Sequence, residues 1–148
     1  METIKDMTLE TARVREAMEE WLEAFKAKNP ERIMECYAED VVAYDLMPPL
    51  KYEGRESYGK LWLDSFAQMP GPIRIDVEDQ RIVADEDVAF VHGLLRFRGR
   101  GFDGTEVDVW SRSTACLRKF DGHWKICHEH SSVPIDTVTG KGIMDLEP

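Results

Sequence analysis

Long apolar runs are missing from this chain, and so is any surplus of positive charge. No stretch of its 148 residues approaches the length of about 20 apolar residues that crosses a bilayer. The opening METIKDMTLE has no basic region followed by an apolar one, so no secretory leader is expected and a cytoplasmic location is. Lys and Arg number 19 against 29 Asp and Glu, a net charge of −10 that argues against a nucleic-acid partner, since phosphate binding needs a basic surface. The basic cluster RFRGR, residues 96–100, reads more simply as a solvated strand end or hairpin. Cysteine is scarce as well. Cys36, Cys116 and Cys127 cannot all pair, and their spacing fits no zinc motif, so buried reduced thiols are expected.

What is present is the composition of one soluble domain over residues 1–148, with 43% hydrophobic and 32% charged residues, enough to bury a core. Repeats and low-complexity segments are absent. From Thr8 to Lys28 the residues Val14, Met18, Trp21, Leu22 and Phe25 recur at helical spacing. Asn29-Pro30 stops that helix and caps a short second one, with Ile33, Met34 and Tyr37 inward. A strand is predicted over Val41–Leu46, ended by Met47-Pro48-Pro49. A third helix follows Gly54-Arg55-Glu56, with Tyr58, Leu61, Trp62 and Phe66 on one side, and Met69-Pro70-Gly71-Pro72 closes it. Four long strands complete the chain, over Ile73–Val83, Val88–Arg98, Val107–Phe120 and His123–Val133. Asp85-Glu86-Asp87, Gly101–Gly104 and Asp121-Gly122 are the turns between them. Three helices followed by a meander predict an α+β fold, helices packed on one face of a strongly curved antiparallel sheet, a cone whose open end suits a small-molecule site.

Three segments carry a family resemblance. NPERIMECYAEDVVAYD (29–45) is similar to the second helix and pocket strand of the NTF2-like superfamily, in its SnoaL-like and ketosteroid-isomerase-like branch. GRESY (54–58) resembles the turn that opens the third helix there, and RSTACLRKFDGHWKICHEHSSVP (112–134) its last hairpin. The resemblance implies the NTF2-like cone, but not a reaction, because this fold hosts isomerases, cyclases, dehydratases, hydrolases and non-catalytic dimerisation modules. Ketosteroid isomerase, a known instance of carboxyl pKa tuning, resembles the chain without gaps from Trp21 to Asp45. Its general base falls on Asp45. Its oxyanion-hole tyrosine falls on Trp21 and its protonated aspartate on Cys116, so both donors to an enolate are missing and that activity is not expected.

Asp45, in the apolar AYDLMPPL, is a candidate general base raised by desolvation, and Tyr44 beside it should face the other way. His92, between Phe90 and Leu94, is a candidate proton shuttle in the strand where the family places a pocket-facing polar residue. Simple alternation through HWKICHEHSS puts Trp124, Ile126, His128 and His130 on one face, which the fold implies is the inside of the cone. His130 is then an acid–base candidate and His128 its neighbour. The same alternation groups Trp110, Arg112, Thr114 and Cys116 on a core-facing side, with Arg112 stabilising developing negative charge. Trp62, Phe66, Phe90, Trp110 and Met47 would line an apolar cavity.

These residues frame three functions. One is a cofactor-independent enzyme moving protons on a small, mostly apolar substrate that bears a carbonyl or hydroxyl. Another is a ligand-binding or dimerisation module. The third is a metal enzyme with His128, His130, His92 and Asp45 as ligand set. A homodimer is expected, as is common in the family, through the outer face of the sheet, with Val107, Val109, Ala115 and Leu117 as contacts.

Overall fold

The computed structural model describes residues 4–148; the first three residues of the METIKDMTLE opening lie outside the described residues. Helix α1 (Ile4–Lys26) begins earlier than Thr8 and carries the expected stripe, with Val14, Trp21 and Phe25 buried and Met18 and Leu22 packed beside them. Helix α2 (Pro30–Glu35) is short, and its cap is the anticipated one: Asn29 Oδ1 accepts the backbone N–H of Arg32 at 3.1 Å. Helix α3 (Arg55–Gln68) starts after Gly54, whose φ of +90° favours glycine in the turn. It lies so close to α2 that a Cβ on Gly59 would overlap the Met34 thioether.

The strands are β1 (Tyr37–Tyr44), β2 (Tyr52–Glu53), β3 (Arg74–Ala84), β4 (Val88–Arg100), β5 (Glu106–Phe120) and β6 (His123–Ser132). They form one sheet in the order β2-β1-β6-β5-β4-β3, antiparallel except where β1 runs parallel to β6. Strand β1 begins at Tyr37 rather than Val41, so Tyr37, read as the inner face of α2, is a strand residue. The sheet is curved and unclosed, and α1 and α3 cover its concave side, as in an NTF2-like α+β cone. An aromatic cluster seals helices to sheet. Trp62 meets Trp21 edge-on at 6.0 Å, and Phe25 meets Trp62, Phe66 and Phe97 the same way at 5.5–5.8 Å.

Two bulges bend the long strands. In β3 the pairing with β4 slips between Glu78 and Arg81, where Asp79 takes a positive φ of 53°. In β6 the pairing with β5 slips because His128 faces Cys116 while Ile126 faces Leu117, leaving Cys127 as the extra residue. That residue decides which side chains enter the cone. Trp124 and Ile126 point in and are buried; beyond Cys127 the inward residues are Glu129 and Ser131, not His128 and His130.

Strand β5 likewise presents the opposite face from the one expected. Val107, Val109, Ser111, Ser113 and Ala115 line the interior, with Leu117 buried deeper, so Val107, Val109, Ala115 and Leu117 are not on the outer face. Trp110, Arg112, Thr114 and Cys116 alternate with them on the outside. Trp110 finds cover there without the core, because the Arg96 guanidinium lies over its ring at 5.5 Å. Strand β5 also outruns β6. The carboxy-terminal segment returns along its free edge, the Trp110 backbone N–H reaching the Met144 carbonyl at 2.8 Å, and this brings Met144 to the cavity.

Candidate functional site

The concave side of the sheet and the helices enclose a cavity of about 800 Å³, within the range of small-molecule sites. Trp21, Phe25 and Trp62 form its helical wall, and Val91, Leu95 and Val109 belong to its sheet wall. Leu46, Met47, Phe102 and Met144 reach it from loops and the tail. Its polar side chains are serines, glutamines and Thr105, together with Asp45, Asp103, Glu129 and, at its edge, His92. Among the described residues no lysine or arginine lines it.

Glu129 is the residue the sequence did not single out. It is 8% exposed, and among the described residues only Glu10 is a comparably buried charged group. The two differ in their partners. Glu10 receives Lys119 Nζ at 2.7 Å and Trp124 Nε1 at 2.9 Å, and the lysine hydrogen bond holds its carboxyl below the usual range. Glu129 has no cation. Burial pushes its carboxyl up to about 7; hydrogen bonds from Tyr58 and Tyr37 pull the other way, and the nearby Asp45 charge adds to the rise.

The surroundings of Glu129 come from α1, β1, α3 and the turn after β1. The Tyr37 hydroxyl, at the start of β1, donates to Glu129 Oε1 at 2.8 Å and accepts Trp21 Nε1–H from α1 at 2.9 Å. The Tyr58 hydroxyl, from α3, touches the same Oε1 and also lies 2.7 Å from Asp45 Oδ2. Asp45 is oriented by its other oxygen, which accepts the Met47 N–H at 3.1 Å. Burial beside the Glu129 charge pushes both phenols, Tyr37 and Tyr58, well above their ordinary range. The five side chains form a continuous row, Trp21–Tyr37–Glu129–Tyr58–Asp45, that ends at the cavity.

Of the residues anticipated from sequence, Asp45, Met47 and Trp62 line the cavity. Phe66 stands behind it, packed on Phe25 and Trp62. His92 touches its edge, but its ring stacks on the exposed Phe90 outside the sheet. Arg112, Thr114, Cys116 and Trp110 face outward; the Arg112 guanidinium bonds Ser132 Oγ at 3.2 Å. His128 donates from Nδ1 to the Val42 carbonyl at 2.6 Å, and both His128 and His130 pack edge-on against Tyr44 on the outer face, at 4.8 and 5.4 Å. Asp45 and the histidines therefore lie on opposite sides of the sheet and do not assemble a metal site. Among the described residues no group of three or more His, Cys, Asp or Glu is placed to hold an ion.

A signal that could have found Glu129 lies in the tyrosines. Tyr37 and Tyr58 sit on apolar faces, and a buried phenol needs a hydrogen-bond acceptor. That acceptor had to be a polar residue on an inner face.

A family model described as a SnoaL-like domain matches residues 14–136. An NTF2-like protein of unknown function from Pseudomonas putida KT2440 superposes with a TM-score of 0.87 at 29% identity, covering 95% of this chain and 98% of that one. A candidate scytalone dehydratase from Novosphingobium aromaticivorans DSM 12444 gives 0.78 at 17% identity, covering 98% and 97%. A ketosteroid isomerase-like protein from Erwinia carotovora atroseptica gives 0.72 at 19% identity, covering 83% and 95%. No functionally curated protein matches the chain. The domain match spans most of the chain and agrees with the curved sheet and its helical cover, and by it the chain belongs to the SnoaL-like family, with the NTF2-like fold.

Proposed function

We propose that the cavity takes an uncharged, largely apolar small molecule bearing a carbonyl or hydroxyl, and that Asp45, with Tyr58 and Glu129 behind it, moves a proton on that molecule. The observation that carries this reading is Glu129, buried at a cavity wall among phenols with no cation, its carboxyl raised to about 7. A group titrating near neutrality both gives and takes protons at working pH. A wall without lysine or arginine offers nothing to pair with an anion, which disfavours carboxylate and phosphate substrates. The aromatic wall supplies contact area, and the hydroxyls of Ser113 and Ser131, adjacent across β5 and β6, offer hydrogen bonds to a polar edge of the ligand.

This reading moves the acid–base role from His130 and His92 to Glu129 and withdraws Arg112 from charge stabilisation. The chemistry is of the isomerase, dehydratase, cyclase or hydrolase kind, which carboxyls and phenols perform with their own protons. The structural neighbours named for an isomerase-like protein and a dehydratase support that breadth. The chain is further proposed to pair with a second copy through the outer face of the sheet, where Val83, Val88 and Phe90 are 44–54% exposed side by side. Sedimentation as a monomer at micromolar concentration would remove that pairing.

The test uses 2-tetralone, a neutral ring ketone with acidic α-protons. Deuterium exchange at its α-carbon, followed by NMR, is expected to be accelerated by the protein and lost in Asp45→Asn and Glu129→Gln. Exchange that survives both substitutions, or binding of the ketone without exchange, sinks the enzyme reading.

A further inference from the structure

Tyr58 carries one proton but stands within hydrogen-bond distance of two carboxyl groups, Glu129 Oε1 on one side and Asp45 Oδ2 on the other. A phenol donates once. If both carboxyls were ionised, one of those two contacts would be a phenol oxygen pressed against a carboxylate oxygen with no proton between them. The remaining neighbours do not supply it. The proton of Tyr37 is already directed at Glu129 Oε1, while its oxygen accepts from Trp21. The Tyr52 hydroxyl is directed at the Pro48 carbonyl at 2.6 Å, and β5 and β1 present alanines beside Glu129, Ala115 and Ala43. Among the described residues no lysine, arginine or histidine acts on the Glu129 carboxyl, and Arg55 reaches only the backbone carbonyl of Tyr37, at 3.4 Å.

From this count we infer that Asp45 and Glu129 together hold one carboxylic proton, and that Tyr58 passes it between them, making Glu129 the proton store for the cavity-facing Asp45. The inference deepens the acid–base reading above and rests on it for its use.

Two arrangements contain the same atoms and the same charge. In one, Glu129 is protonated and donates to the Tyr58 oxygen, and the Tyr58 proton goes to ionised Asp45. In the other, Asp45 is protonated and donates to the Tyr58 oxygen, and Tyr58 donates to ionised Glu129, which Tyr37 also serves. Passing between them breaks the O–H bond of one carboxyl, replaces the phenolic proton of Tyr58 by the one released, and forms an O–H bond on the other carboxyl. Tyrosine ends neutral, so its high proton affinity presents no barrier of charge separation. The exchange comes before the step on the ligand: with the shared proton on Glu129, Asp45 is ionised and able to take a proton, and with the proton on Asp45 it is able to give one. Tyr58 and Glu129 act through Asp45 in this scheme and are positioning residues.

The test is a carboxyl titration of the full chain, with ¹³C in the side-chain carboxyls of Glu and Asp, and signals assigned by Glu129→Gln and Asp45→Asn. In the wild type both carbons are expected to move in the same pH steps, because each proton leaving the row is drawn from both. Asp45→Asn removes the second holder, and its amide can donate to Tyr58, so the Glu129 midpoint is expected to fall by about one unit, a tenfold loss of proton affinity. In a Tyr58→Phe background that fall is expected to be roughly halved, since only the through-space term is left. Independent single-step titration of the two carbons overturns the inference, as does an equal effect of Asp45→Asn with and without Tyr58. Should Tyr58→Phe fail to fold, the wild-type titration decides alone. Turnover does not enter this readout, so loss of the acid–base reading in the ketone assay and loss of the shared proton here are separate results.

Discussion

Ala43 lies directly beside Glu129 in the parallel pairing of β1 with β6, and it is fully buried. The small side chain leaves the glutamate its place between Tyr37 and Tyr58. Ala43→Leu adds methylenes to a site already filled by these three residues, and overpacking of this kind costs about 1–3 kcal/mol. The expected outcome is a loss of that size in urea denaturation. The row should be displaced with it, so the Glu129 carboxyl should also titrate closer to an ordinary glutamate.

The raised Glu129 carboxyl makes folding stability depend on pH in a definite direction. Its folded value of about 7 exceeds the ordinary 4.5, so the folded protein binds more protons than the unfolded chain between those values. Stability is therefore expected to fall as pH rises from about 4.5 to 7 and to level off above, by roughly 3 kcal/mol in total. Glu129→Gln should lack this decline. Urea midpoints of both proteins between pH 5 and 8 check it, and parallel curves would mean that Glu129 is not the group responsible.

Glu10 should behave in the opposite sense. Its carboxyl is lowered, chiefly by the hydrogen bond from Lys119, so its contribution is present above the ordinary glutamate range and is lost as pH falls through the lowered value. Glu10→Gln leaves Lys119, which is 17% exposed, without its charge partner and tethers α1 to β5 and β6 less firmly. A hydrogen bond to a charged group is worth about 1.5–3 kcal/mol, and a loss of that order is expected at neutral pH. The ketone exchange should persist, because Glu10 is not part of the cavity wall.

The helices and hairpins could be read directly because their signals are local. The stripe through α1, the Asn29-Pro30 cap and Asp121-Gly122 each act within a few residues, and Asp45 followed from its apolar surroundings and from the family resemblance over residues 21–45. The facing of β5 and of the end of β6 was not legible. On β5 the largest apolar residue, Trp110, is an outer residue held by Arg96, so size misdirects the choice of face. On β6 the turn of alternation rests on Cys127, and a cysteine in a strand carries no mark of a bulge. Its thiol finds the Cys116 carbonyl at 3.3 Å, a contact that exists only once the strands have paired.

That dependence on Cys127 gives the last prediction. Without Cys127, β6 would read Trp124, Lys125, Ile126, His128, Glu129, and plain alternation would then keep Trp124, Ile126 and Glu129 on the inner face. Deleting Cys127 is therefore expected to leave the fold and the raised Glu129 carboxyl in place, at the cost of the local twist and the thiol contact. Deleting Lys125 from the same strand is expected to behave otherwise. The bulge would remain, and Trp124 and Ile126 would be thrown onto opposite faces, exposing one of two buried side chains. Exposing a large apolar residue costs about 1.5–3 kcal/mol before any loss of packing, so this variant should unfold at clearly lower urea or not fold at all. Circular dichroism and urea midpoints of the two deletions, made side by side, measure the difference. Equal damage from both would show that the bulge itself, and not the facing it sets, is what the strand requires.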